Sequence, residues 1–90
     1  MTSRMLKYQV SSDTSRQVAV LMREGATIRA VGMQNHQIHV WAETPIKANP
    51  LTVTRTFRVA ATGSDLPDPG NYVGTVFDGP WVWHVCEVWS

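Results

Sequence analysis

Residues 27–43, TIRAVGMQNHQIHVWAE, contain the pattern that decides the fold class. Two runs, residues 27–34 and 37–43, carry β-branched and aromatic side chains and flank the dipeptide Asn35-His36. Such runs are typical of β-strands. Asparagine also tolerates the positive φ that a tight turn between paired strands requires. We therefore predict a β-hairpin that turns at Asn35-His36.

The rest of the chain repeats this pattern, and no window sustains a helical period. Further strands are predicted where similar runs lie between clusters of Gly, Pro, Asn and Asp. A short helix is the alternative for residues 14–22, because apolar side chains fall on both faces of that run. The predicted fold is all-β, a small antiparallel sheet or barrel of about six to seven strands in mostly sequential order. The additional predicted strands are residues 5–10, 16–22, 53–61, 72–78 and 81–89.

Two longer connections are predicted between these strands. Residues 44–50 contain two prolines and an asparagine, which pair poorly in a β-ladder, so we predict a loop there. Residues 63–71 include Pro67-Asp68-Pro69-Gly70, the strongest loop signal in the chain. That second loop is long enough to act as a flap over a site.

Chain length and cysteine content limit how the fold can be stabilised. Ninety residues allow one domain, residues 1–90, with a small core. Cys86 is the single cysteine of the sequence, which excludes an intramolecular disulfide, and three scattered histidines do not supply a structural zinc site. A homo-oligomer is therefore predicted as the additional source of buried area.

Charge and hydropathy restrict the partners. The formal net charge is +1 and no run of Lys or Arg occurs, which argues against extended nucleic-acid binding. The sequence contains no apolar run of membrane-spanning length and no apolar signal segment. We expect a cytoplasmic protein, because a lone cysteine is usual in that compartment, and we expect no metal or other cofactor.

The last predicted strand places Trp81, Trp83 and Trp89 on one face by alternation, with Val82, His84, Cys86 and Val88 on the other. Both faces are largely apolar. Three explanations remain open for the tryptophans: core packing, a subunit interface, or a platform on which a base or sugar stacks.

Arg55 and Arg58 are the candidate anion-binding residues, because a guanidinium forms paired hydrogen bonds with phosphate or carboxylate. Alternation along the strand points them to opposite faces. One of them could line a pocket while the other pairs with an acid such as Glu43 or Asp65.

Catalytic motifs are not found in the sequence. His84 shares a strand face with Cys86, but adjacent residues on one face rarely reach the geometry of a nucleophile and its base. No phosphate-binding glycine loop and no paired carboxylates accompany them. The sequence therefore predicts a protein that is not an enzyme.

Three segments of the sequence are distinctive: Arg-Thr-Phe-Arg at 55–58, Thr-Gly at 62–63 followed by Leu-Pro-Asp at 66–68, and Tyr-Val-Gly-Thr-Val at 72–76. Together with other parts of the chain, they resemble a family of small proteins encoded by bacteriophages and prophages. The resemblance covers residues 5–87. The chain departs from it at Asn35-His36, where Asn-Gly is expected, and in a longer loop over residues 44–51. The resemblance implies a phage accessory protein that acts by binding.

Two functional hypotheses follow. In the first, an oligomer binds and sequesters a small anionic, nucleotide-derived signalling molecule of host defence. In the second, the tryptophans anchor a protein partner, and the chain inhibits a host protein or serves as a phage structural or assembly factor. The residues predicted to contact a ligand are Arg55, Arg58, Trp41, Thr62, Gly63, Trp81, Trp83 and His84.

Overall fold

The computed structural model describes residues 2–12, 16–66 and 70–89 of the chain. In these ranges the chain forms seven β-strands and no helix, which confirms the predicted all-β class. Residues 17–23 are a strand, so helix is ruled out for that part of residues 14–22; residues 14 and 15 lie outside the described ranges. The strands are β1 Ser3–Gln9, β2 Gln17–Arg23, β3 Thr27–Gln34, β4 Gln37–Pro45, β5 Thr52–Ala61, β6 Gly70–Asp78 and β7 Trp81–Val88.

The predicted hairpin is confirmed between β3 and β4. Gln34 pairs with Gln37, and the two residues between them have positive φ, 53° at Asn35 and 64° at His36. Two consecutive positive φ angles are the geometry of the tight turn whose twist matches the flanking strands. The turn therefore fixes the register of this hairpin.

The strands form two antiparallel sheets, one of order β1-β4-β3 and one of order β2-β5-β7-β6. The predicted sequential order is wrong, since only β3 with β4 and β6 with β7 are neighbours both in sequence and in a sheet. The pairings β1 with β4, β2 with β5 and β5 with β7 join strands that are distant in sequence. Hairpin signals report only local pairs, and these distant pairings bury the apolar faces of both sheets.

The hydrophobic core lies between the two sheets. Alternation along β4 turns Val40 and Ala42 inward, and Phe57 on β5 and Val85 on β7 meet them from the other sheet. All four side chains are fully buried. Because burying one such valine or phenylalanine stabilises a fold by about 1.5–3 kcal/mol, this layer supplies the main force that holds the sheets together.

One lateral side of the sandwich is closed by strands β3 and β6. Each of these strands has a bulge, between Ile28 and Ala30 in β3 and between Tyr72 and Gly74 in β6. The side chain of Val31 approaches Gly74 so closely that a Cβ added there would lie 2.5 Å from its Cγ1. Glycine is therefore required at position 74 for this contact between the sheets.

The predicted loop over residues 44–50 is shorter in the structure. β4 continues through Thr44 and Pro45, which pair with Arg4 and Ser3 of β1. Proline is accepted there because it is the last residue of the strand, where only one ladder donor is lost. The connection between β4 and β5 therefore begins at Ile46.

The predicted loop over residues 63–71 also ends early, because β6 begins at Gly70 and Asn71 already pairs with Glu87. Its first residues form a turn in which the Ser64 amide donates to the Ala61 carbonyl over 3.0 Å. Gly63 has a φ of 93° in this turn. Residues 67–69 lie outside the described residues, and the flap stays a prediction.

Candidate functional site

Three connections meet at one end of the sandwich: the segment between β1 and β2, the turn between β3 and β4, and the turn between β6 and β7. Among the described residues they surround a groove of about 400 Å³, here called the end groove, whose polar and aromatic lining includes Ser11, Arg16, His36, Asp78 and Trp83. Pockets of roughly 300–1,000 Å³ are typical of small-molecule sites. The end groove is therefore large enough for a small organic ligand.

Arg16 lies over the ring of Trp83 in the end groove, with Cζ 5.7 Å from the ring centroid. Its backbone is fixed, because its carbonyl accepts a hydrogen bond of 2.8 Å from the Val59 amide of β5. A guanidinium over an indole face is attracted by the ring quadrupole. The arrangement presents a positive charge and an aromatic surface side by side.

Trp81 extends this aromatic surface. Its ring stacks on that of Trp83, with centroids 6.1 Å apart and planes inclined by 20°. Trp83 is half-buried and packs against the core, whereas Trp81 is 61% exposed. Core packing therefore accounts for Trp83 alone, and the outer ring of the pair is accessible to a ligand or a partner.

Hydrogen bonds hold the wall of the end groove that lies opposite these rings. The Ser11 hydroxyl donates to Oε1 of Gln37 over 2.9 Å and accepts from the Ile38 amide over 2.9 Å. The Val10 amide donates to the Ile38 carbonyl over 2.9 Å. The start of the β1–β2 connection is thereby attached to the β3–β4 hairpin, so this wall is formed before any ligand binds.

Arg55 lies at the opposite end of the sandwich and donates to three acceptors. Its Nε and Nη2 donate to the two carboxylate oxygens of Glu87 over 2.6 and 2.7 Å, and Nη1 donates to the Ala26 carbonyl over 2.7 Å. The hydrogen bonds that Arg55 donates to Glu87 raise the pKa of Arg55, so the guanidinium stays charged. We assign Arg55 a structural role.

The sequence named Glu43 and Asp65 as acids that could pair with one of Arg55 and Arg58, and this is wrong, because the acid that pairs with Arg55 is Glu87. β5 lies beside β7 in the sheet, which places the inward-facing Arg55 diagonally next to the inward-facing Glu87. Glu43 instead accepts from the Ser3 hydroxyl and from Nε of Arg29. The hydrogen bond from Ser3, followed by that from Arg29, lowers the pKa of the Glu43 carboxyl.

Arg58 lies on the outer face of the four-stranded sheet, where it is exposed and pairs in register with Gln17 and Cys86. No hydrogen bond or ion pair joins its side chain to another residue of the described ranges. Because successive side chains of a strand point to opposite faces, Arg58 is directed away from the space between the sheets. It does not contribute to the end groove.

His84 forms a hydrogen-bonded cluster on the same outer face. Its Nδ1 is 3.0 Å from the Thr75 hydroxyl and its Nε2 is 2.8 Å from the Thr62 hydroxyl. The Tyr72 hydroxyl in turn hydrogen-bonds that of Thr75. A neutral imidazole donates from one nitrogen and accepts at the other, and hydroxyls can satisfy both.

Cys86 and His84 show no nucleophile–base geometry. Both ring nitrogens of His84 are bonded to threonine hydroxyls. Cys86 is buried, and this burial raises the pKa of its thiol, which disfavours the thiolate form that acts as a nucleophile.

Within residues 2–12, 16–66 and 70–89, the His, Cys, Asp and Glu side chains form no group of three or more that could hold a metal ion. These ranges also contain no helix of the length and apolarity needed to cross a membrane.

The residues predicted to bind a ligand from the sequence fall into separate places. Trp83 lines the end groove and Trp81 stacks on it. Arg58, Thr62 and His84 lie on or beside the outer face of the four-stranded sheet, with Gly63 next to Thr62 in the following turn. Trp41 lies on the outer face of the other sheet, beside His39 and against Gly32. The structure therefore joins only subsets of the predicted site.

Sequence reasoning missed Arg16 and the position of Asp78 in the same groove. A usable signal was present, because Arg16 continues the alternation that turns Val18 and Val20 inward. A cation at an inward position at the end of a strand lies at the rim of a sandwich. Asp78 is the last residue of the predicted strand 72–78, and its place in the groove could not be predicted, since the proximity of two turns cannot be read from one strand.

Comparison with known proteins gives a family assignment. Residues 1–90 match the family described as Domain of unknown function (DUF7352). The chain belongs to this family. No curated protein and no solved structure matched the chain. Because the description of DUF7352 carries no activity, function has to be argued from the geometry of the end groove.

Proposed function

We propose that this protein is a non-enzymatic binding protein that holds a small anionic, nucleotide-like ligand in the end groove. The observation that carries the proposal is the guanidinium of Arg16 over Trp83 at the rim of a groove of about 400 Å³. Charge for an anion and an aromatic face for a ring are the two features that nucleotides require of a protein site.

Each groove residue matches one part of such a ligand. Arg16 can form paired hydrogen bonds with a phosphate group. The exposed ring of Trp81, stacked on Trp83, offers a face for a base. Asp78 accepts hydrogen bonds and repels free anions, so it favours a ligand that carries donors, such as a ribose hydroxyl or a base amino group. The groove chemistry therefore favours nucleoside phosphates over inorganic phosphate.

In this proposal the protein binds the ligand and does not convert it. Binding by Arg16 and the tryptophan pair needs no general base and no nucleophile. The resemblance to phage-encoded proteins extends the proposal by analogy: the ligand is a nucleotide-derived signal of a host defence system, and the protein sequesters it.

The test measures thermal unfolding and calorimetric binding with nucleoside mono- and diphosphates, cyclic dinucleotides, ADP-ribose and inorganic phosphate. One nucleotide class should raise Tm, because a ligand at a hundred times its Kd stabilises the native state by about 2.7 kcal/mol. Arg16→Gln should abolish the shift and keep the fold. Arg58→Gln is the matched control, because Arg58 is exposed on the outer face, and should keep the shift.

Two outcomes would overturn the proposal. No Tm shift with any member of the panel would remove the nucleotide ligand. A shift that Arg58→Gln abolishes and Arg16→Gln preserves would move the ligand to the outer face of the four-stranded sheet.

A protein partner is the second candidate, favoured by the exposed aromatic side chains around the β6–β7 turn. Phe77 is 73% exposed and Trp81 is 61% exposed, and they flank residues 78–80. Aromatic side chains of this kind are frequent anchors in protein interfaces. With this function, Phe77→Ser would weaken partner binding without affecting stability, and the nucleotide panel would leave Tm unchanged.

A further inference from the structure

Each sheet has two edge strands, and three of the four carry features that discourage pairing with another chain. β3 and β6 each contain a bulge, and β1 carries Arg4 and Lys7 within the strand. Bulges and charges are the usual protection of a sheet edge. β2 pairs with β5 in unbroken register and has no charged residue before its last position, Arg23.

The backbone of β2 also presents free groups on its outer side. The Arg16 carbonyl accepts from the Val59 amide, and the Glu24 amide donates to the Leu51 carbonyl, so even-numbered residues point their backbone groups toward β5. Since successive residues of an antiparallel strand alternate sides, Ala19 and Leu21 point theirs away from it. Among the described residues, no other backbone group pairs with Ala19 or Leu21 on that side.

We propose that β2 pairs antiparallel with β2 of a second copy of this chain, joining two four-stranded sheets into one continuous sheet across a two-fold axis at Val20. In this register Ala19 of each copy lies opposite Leu21 of the other, and their outward amides and carbonyls bond reciprocally. A two-fold axis requires this exchange of partners. The proposal rests on the edge of β2 and not on the ligand proposed for the end groove, although Arg16 is part of both.

Side chains and charges fit this register. Leu21, which is 67% exposed on the outer face, comes to lie beside the small side chain of Ala19 of the second copy. The two Arg23 residues are placed about 20 Å apart along the strands, which avoids repulsion. The same register brings Glu24 of each copy to the position opposite Arg16 of the other, so unlike charges meet at both ends.

Sedimentation of the full chain at increasing concentration tests this pairing. The wild type should reach twice the chain mass of 10.1 kDa. Ala19→Pro should remain at the mass of one chain with an unchanged circular dichroism spectrum, because its amide points away from β5 and the ring blocks only the free edge. Leu21→Lys should likewise dissociate the dimer. It is the alternative test variant if Ala19→Pro does not fold. The amides of Ala19 and Leu21 should gain hydrogen-exchange protection as concentration rises.

Met5→Pro is the matched control. The Val10 amide bonds the Ile38 carbonyl and the Thr2 carbonyl accepts from the Ile46 amide, so Met5 of β1 also points its backbone groups away from its neighbouring strand. This variant should remain dimeric. A wild type that stays at the mass of one chain would refute the pairing. A dimer that survives both Leu21→Lys and Ala19→Pro would also refute it. The same holds if the Met5→Pro variant dissociates while the Ala19→Pro variant remains a dimer.

Discussion

The two ends of the sandwich each contain an inward-facing arginine in very different surroundings. Arg55 donates to both oxygens of Glu87 and to the Ala26 carbonyl. Arg16 forms a cation–π contact with Trp83 and no ion pair with a residue of the described ranges. The comparison teaches that residue type and alternation do not separate a structural arginine from a ligand-binding one. Strand β7 makes the difference, because it places the acid Glu87 beside Arg55 and the indole of Trp83 under Arg16.

The largest expected change in stability concerns the end of the sandwich that contains Arg55 and Glu87. Glu87→Gln keeps the shape of the side chain but leaves the charge of Arg55 uncompensated. Removing one partner of a fully buried pair costs about 3–5 kcal/mol, and this pair, in which the side chain of Arg55 is 21% exposed, should lose about 2–3 kcal/mol. Urea unfolding at neutral pH measures the loss. Asp78→Asn at the other end is the control and should change stability by less than about 0.5 kcal/mol. If both substitutions lowered the free energy of unfolding equally, the inward-facing arginines at the two ends would not differ in their structural role.

Removal of both charges should be less damaging than removal of one. In Arg55→Met combined with Glu87→Leu no buried charge lacks a partner, so about 1–2 kcal/mol of the loss in Glu87→Gln should return. The same urea experiment checks it. A double variant less stable than Glu87→Gln would show that packing of the arginine stem, and not its charge, closes this end.

Substitutions at the end groove should change the stability of the fold only slightly. Arg16→Gln removes a cation–π contact at a solvent-accessible site, which is worth about 0.5–1 kcal/mol. Its larger effect is expected on ligand affinity. A loss of stability as large as that of Glu87→Gln would assign Arg16 a structural role and would contradict its place in the proposed site.

The smallest effect concerns a surface pair. The pKa of Glu43 is lowered first by the Ser3 hydrogen bond, so Ser3→Ala should raise this pKa toward the ordinary value of 4.5. A lowered acid pKa contributes stability that is present above the unfolded-state pKa and is lost as the pH falls through the folded-state value, so the change belongs to the window below pH 4.5. Titration of the Glu43 side chain by NMR measures the pKa. Thr2→Ala serves as the control and should leave the pKa of Glu43 unchanged.

Alternation in the sequence predicted much of the fold and the direction of many side chains. It placed Arg55 and Arg58 on opposite faces of a strand and located the turn at Asn35-His36. Both features depend only on residues that are close in sequence. It could not supply the order β5-β7-β6, and without that order Glu87 has no visible relation to Arg55.

The candidate site was harder to predict for the same reason. The end groove depends on three connections that meet only after the sheets pack, so Arg16 and Asp78 show no relation in the sequence. The hydroxyl cluster of His84 depends on the register that sets Thr75 opposite it. Such register information is contained in tertiary packing and not in local pattern.

The strand order described above has a consequence for the speed of folding. The β3–β4 and β6–β7 hairpins close short turns and can form in roughly 1–10 μs. The pairings of β1 with β4, β2 with β5 and β5 with β7 must each close a longer segment of chain first. Domains dominated by such distant pairings fold in roughly milliseconds to seconds. Both edges of β2 therefore stay unpaired until β5 reaches it, which leaves the strand open to pairing with another chain during folding.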